Sequence, residues 1–93
     1  MFKIKREGEK IGIIRVNLYG RFTGPYVAEV EKALSLNGSE TKGLALDLTN
    51  VTFVDRLAME FLRSVKSRNI KVENLPSYVV RWIKQDASNE SRN

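Results

Sequence analysis

Apolar and polar positions along this 93-residue chain recur with two different periods, and the periods mark out its elements. Phe2 and Ile4 alternate with Lys3 and Lys5, the two-residue repeat of a half-buried strand. Glu7-Gly8-Glu9-Lys10 reads as a polar, glycine-bearing turn. Ile11 to Leu18 is rich in β-branched and apolar residues, so a second strand is expected to fold back on the first as a hairpin. Gly20 reads as its end, and Gly24-Pro25 punctuates the next junction. Thr23 or Gly24 can cap a helix there, with Pro25 in the first turn, where a missing N–H costs nothing. Val27, Val30 and Leu34, with Ala33 beside them, then recur at helical spacing, while Glu29, Glu31 and Lys32 take the other face. Asn37-Gly38 supplies a stop.

Leu44-Ala45-Leu46-Asp47-Leu48 is short and almost continuously apolar, the pattern of a strand buried on both faces in a sheet with crossover helices. Thr49-Asn50 reads as a break, after which Val51 to Val54 is apolar again and leads into Asp55. Leu57, Phe61, Leu62 and Val65, adjoined by Ala58, form the stripe of a second helix; Glu60, Arg63, Ser64, Lys66 and Ser67 lie away from it. Ser67-Arg68-Asn69 closes that helix. Ile70 and Val72 alternate with Lys71 and Glu73 as a fourth strand. Pro76 opens a third helix, in which Val79, Trp82 and Ile83 share a face. Residues 85–93 form a polar tail, expected to fray. Strands alternating with helices favour a layered α/β domain: a mixed sheet of about four strands, crossover helices, three helices in all.

Composition narrows the chemistry. One domain is all this length allows, and 42% hydrophobic with 29% charged residues is globular rather than disordered. The chain holds neither Cys nor His. Disulfides, thiol nucleophiles, Cys/His zinc sites and imidazole bases are therefore excluded. Asp47, Asp55 and Asp86 do not cluster in sequence, so no metal site and no cofactor is expected. The start lacks a signal-peptide core, and no apolar run approaches the roughly 20 residues of a membrane span. A soluble cytoplasmic protein is the expectation.

Sixteen Lys and Arg against eleven Asp and Glu leave a formal charge of +5. The excess lies in residues 56–84, where Arg56, Arg63, Lys66, Arg68, Lys71, Arg81 and Lys84 face only Glu60 and Glu73. Such a bias attracts an acidic protein, a phosphate-bearing ligand or nucleic acid. The plainer reading is a solvated face, since this net charge is ordinary for a small domain.

Few residues carry a sharper signal. Gly20-Arg21-Phe22-Thr23-Gly24 lacks the endings of phosphate-binding loops and dinucleotide fingerprints, which leaves a tight turn before a capped helix. Lys10, Lys32 and Lys84 sit in ordinary solvent-facing contexts. Asp47, inside a buried pattern, is expected either to bond backbone N–H groups or to lie near the C-terminal end of its strand. Asp55, just before the second helix, reads as an N-cap worth about 1 kcal/mol. It also reads as a recognition carboxylate at the C-terminal edge of the sheet, where α/β folds place their sites; capping carries more weight. Phe61 and Trp82 fall on apolar helix faces and read as core. Tyr19, Tyr26 and Tyr78 are scattered, with no stacking platform for single strands.

Three segments resemble the STAS domain, shared by bacterial anti-sigma factor antagonists and the cytoplasmic tails of sulphate transporters. Asn17-Leu18-Tyr19-Gly20-Arg21-Phe22 is similar to the family's glycine-bearing strand end, Leu44 to Leu48 to its central strand, and Val51 to Asp55 to the approach to its regulatory loop. The resemblance spans roughly residues 2–84 in element order, so residues 1–84 are taken as one STAS-like domain. Phosphorylation-regulated members read Asp-Ser-Ser/Thr-Gly at the loop, with the second residue after Asp accepting phosphate from a partner kinase. This chain reads Asp55-Arg56-Leu57-Ala58, so Leu57 occupies the usual acceptor position and has no hydroxyl. Thr52 and Ser64 are nearby hydroxyls that do not match the family site.

The resemblance implies a non-catalytic protein–protein interaction module acting in transcription regulation. An anti-sigma factor or kinase-like regulator would dock around Asp55–Glu60 and the second helix. Asp55 would bind or cap, and Arg56 and Arg63 would meet an acidic face. Leu57 is either core or an apolar contact, its stripe spacing favouring core. Glu60 would pair locally with Arg63 or Ser64. The alternatives are a nucleic-acid or nucleotide binder using the basic face of residues 56–84, and an assembly module of a transporter or stressosome-like complex. A homodimer is among the assemblies these leave open.

Overall fold

The periods read from sequence return as elements in the expected order. A computed structural model describes residues 1–8, 12–35, 43–68 and 70–91, with side chains as far as 85. Strand β1 (Phe2–Gly8) pairs antiparallel with β2 (Ile13–Phe22). A short 3₁₀ turn (Gly24–Tyr26) leads into α1 (Val27–Ser35). Strand β3 (Gly43–Val54), helix α2 (Arg56–Lys66), strand β4 (Lys71–Glu73) and helix α3 (Ser77–Ser91) follow. The four strands form one mixed sheet in the order β1-β2-β3-β4, with β2, β3 and β4 parallel. The Asn37-Gly38 stop, Asn69, and the turn and strand start at residues 9–11 lie outside the described residues.

Both crossovers run in the same direction across the sheet, so α1 and α2 lie on one side of it. Their buried residues (Val30, Ala33 and Leu34; Ala58, Leu62 and Val65) join Val16, Leu18, Leu46 and Leu48 in one core. Helix α3 adds Val79 and Ile83, with Trp82 and Phe61 packed against the cluster as expected. Phe22 is wholly buried, stacked on Phe2 at 5.5 Å and edge-on to Phe61 at 6.1 Å. Burying such a side chain contributes about 2–3 kcal/mol.

The alternate strand positions face the other way and are mostly polar. The reading of β3 as buried on both faces is therefore corrected: Ala45 is buried but stands outside the core cluster, and Asp47 is half-buried beside it. Arg15 Nη1 lies 3.4 Å from Asp47 Oδ2 and 2.7 Å from Glu73 Oε1. Asp47 Oδ1 accepts hydrogen bonds from the Thr49 N–H at 2.8 Å, the Thr49 hydroxyl at 2.6 Å and the Asn74 amide at 3.2 Å. Burial works to raise the Asp47 pKa, but these bonds and the one from Arg15 outweigh it and hold the carboxyl below its usual value. On the helix side, the hydrogen bonds from Arg68 lower Glu31 in the same sense, the guanidinium meeting both carboxylate oxygens at 2.7 and 2.8 Å.

Further boundaries differ from the sequence reading for identifiable reasons. Thr49-Asn50 does not break β3. The register steps from Asn17↔Asp47 to Tyr19↔Asn50, and from Gly20↔Val51 to Arg21↔Phe53, so β3 absorbs two extra residues as bulges. The Asp47 side chain takes up the Thr49 N–H there. Nor does the polar turn signal that opens at Glu7 stop β1, which continues to Gly8 because both residues still pair with β2. Gly20 likewise does not end β2. Its φ is +91°, and a Cβ there would collide with the Met1 carbonyl oxygen, which accepts the Arg21 N–H at 3.2 Å. The polar segment from Gln85 continues α3 in backbone geometry to Ser91 and contains no Gly or Pro to stop it.

Gly20→Ala is expected to lower unfolding free energy by about 1–3 kcal/mol, read from urea denaturation, because the new methyl group meets both a left-handed backbone and the Met1 carbonyl. Asp47 and Glu31 have lowered folded-state pKa values, so their stabilising contribution is complete above the ordinary values of 3.8 and 4.5. It is lost as pH falls through the lower folded values. Denaturation midpoints measured downward from pH 7 should fall in that acid window, and less steeply in Asp47→Asn.

Candidate functional site

Asp55 sits where β3 ends and α2 begins, in extended conformation with φ −86° and ψ 177°. Its Oδ1 accepts the Ala58 N–H at 2.9 Å, as a helix N-cap should. Its Oδ2 accepts the Gly24 N–H, also at 2.9 Å, from the first residue of the 3₁₀ turn. One carboxylate thus serves two helical starts, reaching a Gly24 that lies 31 residues before it. The backbone is tied as well: the Asp55 N–H donates to Phe22 O at 3.2 Å, and Asp55 O accepts the Met59 N–H at 2.9 Å. Of the two expected caps, Thr23 or Gly24, Thr23 takes the N-cap position in extended conformation, without a side-chain capping bond. Gly24 does begin the turn, and Pro25 does lie in it.

With both oxygens engaged, Asp55 positions the loop, and Arg56 and Leu57 after it face outward. Leu57 is 62% exposed, which corrects its expected place in the core. The α2 stripe is Ala58, Leu62 and Val65, and Leu57 lies beside it in the first turn. There β3 has already ended, and Leu57 rests on Gly24: a Cβ at Gly24 would lie 2.8 Å from Leu57 Cδ1. The Arg56 side chain is 81% exposed, with Nε 3.7 Å from Glu60 Oε1 one turn on. Arg63 is half-buried on the same helix. Asp55, Arg56, Leu57 and Glu60 therefore share one end of the molecule, while Arg63 lies two turns along α2.

Other residues gather at this end that the sequence reading did not single out. Phe53, 38% exposed, carries the Arg21 guanidinium 4.5 Å from its ring centroid. Tyr78, 44% exposed, accepts the Val54 N–H on its hydroxyl at 2.8 Å. Met1 is fully exposed and bonded through its carbonyl to Arg21. Met1, Phe53, Leu57 and Tyr78 are the exposed large hydrophobic residues among those described, and all sit around the C-terminal edge of the parallel strands. Bulges in β3 hid Phe53 from any alternation pattern; a phenylalanine two places before a capping aspartate was the available hint.

The basic excess of residues 56–84 is partly spent within the chain. Arg68 is held by Glu31, Lys71 lies 3.5 Å from Glu73, and Arg56 approaches Glu60. Arg81 and Lys84 line a shallow groove along α3 with Leu75, Ser77 and Val80.

No family model and no curated protein matches this sequence. Solved structures do. The anti-sigma factor antagonist SpoIIAA, in its unphosphorylated form, matches with a TM-score of 0.52 over 98% of this chain and 99% of that one, at 12% identity. The fold is STAS-like. A structure described as Mglu matches at a TM-score of 0.58 and 19% identity over 78% of this chain, which spans only 19% of that longer one. At these identities the likeness concerns the fold: a mixed four-stranded sheet with three helices, as the sequence implied.

Asp55→Ala removes the acceptor of two backbone N–H groups and should destabilise the fold by about 2–3 kcal/mol, measured by thermal or urea unfolding. Asp55→Asn keeps one carbonyl acceptor and should cost about half as much.

Proposed function

We propose that this chain is a non-catalytic docking module of the anti-sigma factor antagonist type, acting in the cytoplasm in transcription regulation. Its partner is an anti-sigma factor or kinase-like regulator, which contacts the segment Asp55–Glu60 and the outward side of α2. The observation that carries this reading is the exposed Leu57, held outward at the start of α2 by the doubly capped Asp55. The SpoIIAA-like fold supports an interaction role. An apolar side chain flanked by Arg56 suits a partner face with an apolar socket and an acidic rim. Leu57 has no oxygen to accept a phosphoryl group, so docking is not gated by phosphorylation at this position. The sequence has no His or Cys to serve as base or thiol nucleophile. No helix of the described residues is long and apolar enough to cross a membrane.

Capture from the native host at moderate salt should recover a histidine-kinase-like ATPase. Leu57→Asp and Arg56→Glu should each weaken its binding at least about tenfold, or about 1.4 kcal/mol, by titration calorimetry, with unfolding midpoints unchanged. Full affinity in both variants, or a phosphoryl mass gain within Asp55–Glu60 after incubation with that ATPase, overturns the proposal.

A further inference from the structure

Arg21 is the residue before the last of β2. It is exposed, and its register partner on β3 is Phe53. The guanidinium sits 4.5 Å from the Phe53 ring centroid, and its backbone is anchored to Met1. Arg15, Arg56 and Arg68 each face a carboxylate, whereas no carboxylate among the described residues pairs with Arg21. A guanidinium held over a ring can still offer its N–H donors as a fork, the geometry that receives a carboxylate through two parallel hydrogen bonds. The aromatic ring also restricts the side chain before binding, which lowers the entropy cost of docking.

We infer that Arg21 and Phe53 form a carboxylate-recognition pair, and that its ligand is an acidic, apolar segment of a protein partner. The inference rests on the docking role proposed above and extends that surface from the start of α2 across the ends of β2 and β3. An Asp or Glu of the partner meets the Arg21 fork, and an adjacent apolar side chain covers Phe53 and Met1. The surroundings favour a protein over nucleic acid. A nucleic-acid track needs several cations spaced along the backbone. Here Arg21 and Arg56 stand among the exposed hydrophobic residues Met1, Phe53 and Leu57, an apolar setting that suits a protein side chain better than a phosphate track. The Asp55 carboxylate is turned to the Gly24 and Ala58 N–H groups, and no ion pair joins it to Arg21 among the described residues.

The test is an amide and Arg Nε–H NMR titration of the full chain with four probes. These are a capped peptide alternating Asp with Leu, the same peptide with Asn for Asp, the same with Lys for Asp, and a single-stranded DNA oligonucleotide. The acidic peptide alone should give saturable shifts at Arg21 and Phe53. Arg21→Gln should weaken its binding by about fivefold, as fits a charge-assisted pair at an exposed site, while leaving the rest of the spectrum unchanged. Phe53→Leu should loosen the arginine and weaken binding less. Equal shifts from the uncharged peptide, stronger shifts from the oligonucleotide, unchanged affinity in Arg21→Gln, or no saturable shift up to the peptide's solubility limit each overturn the inference. Shifts confined to Arg56 and Leu57 also overturn it while leaving the docking role at α2 intact. Shifts at Arg21 and Phe53 in a chain whose Leu57→Asp and Arg56→Glu variants both still bind the captured ATPase fully would support the pair and remove that role instead.

Discussion

The Asp55 carboxylate holds one end of this protein together. Helical starts leave N–H groups without internal partners, and such groups are costly when water cannot reach them. Here one anion accepts from Gly24 and from Ala58, so the start of the 3₁₀ turn and the start of α2 are fixed relative to each other. Its backbone joins the ends of β2 and β3 through Phe22. Beneath it, Phe22 stacks with Phe2, and Phe2 with Tyr26 at 4.6 Å, an aromatic floor that cannot shift without opening the core. The outward set of Leu57 and Arg56 follows from that constraint.

The one-sided sheet leaves its exposed large hydrophobic residues, among those described, at its end. Its helix-free face is bridged by its own charges, with Arg15 between Asp47 and Glu73 and Lys5 3.6 Å from Glu7. The outer edge, β1, carries Lys3, Lys5, Arg6 and Glu7, the kind of charged edge that discourages pairing with another strand. Exposed apolar area remains at the C-terminal edge, beside the stacked Arg21 and the exposed Arg56. A STAS-like fold with these residues at that edge presents an apolar, basic surface there.

Much of this fold is legible in the sequence because its signals are local. Phe2 and Ile4, Val27 through Leu34, and Ala58 through Val65 state their periods within a few residues, and a misplaced period would bury charge. Reading fails where a distant contact overrides the local signal. Gly20 resembles a strand end because nothing near it in sequence reveals the approach of Met1. Thr49-Asn50 resembles a break because a bulge needs a partner strand to define it. Leu57 fits the apolar stripe by spacing, yet β3 ends before reaching the place where Leu57 would have been covered.

By itself, the sequence determined the order of strands and helices, most of the inward faces that join in one core, and the absence of His and Cys. Tertiary structure alone decided that Asp55 caps two helical starts, that Leu57 faces outward, and that Arg21 lies over Phe53. The physical reason is the range of the contacts. Periodicity and capping preferences act within one or two turns, whereas Gly24 and Asp55, or Arg21 and Phe53, meet only after β2 and β3 have paired.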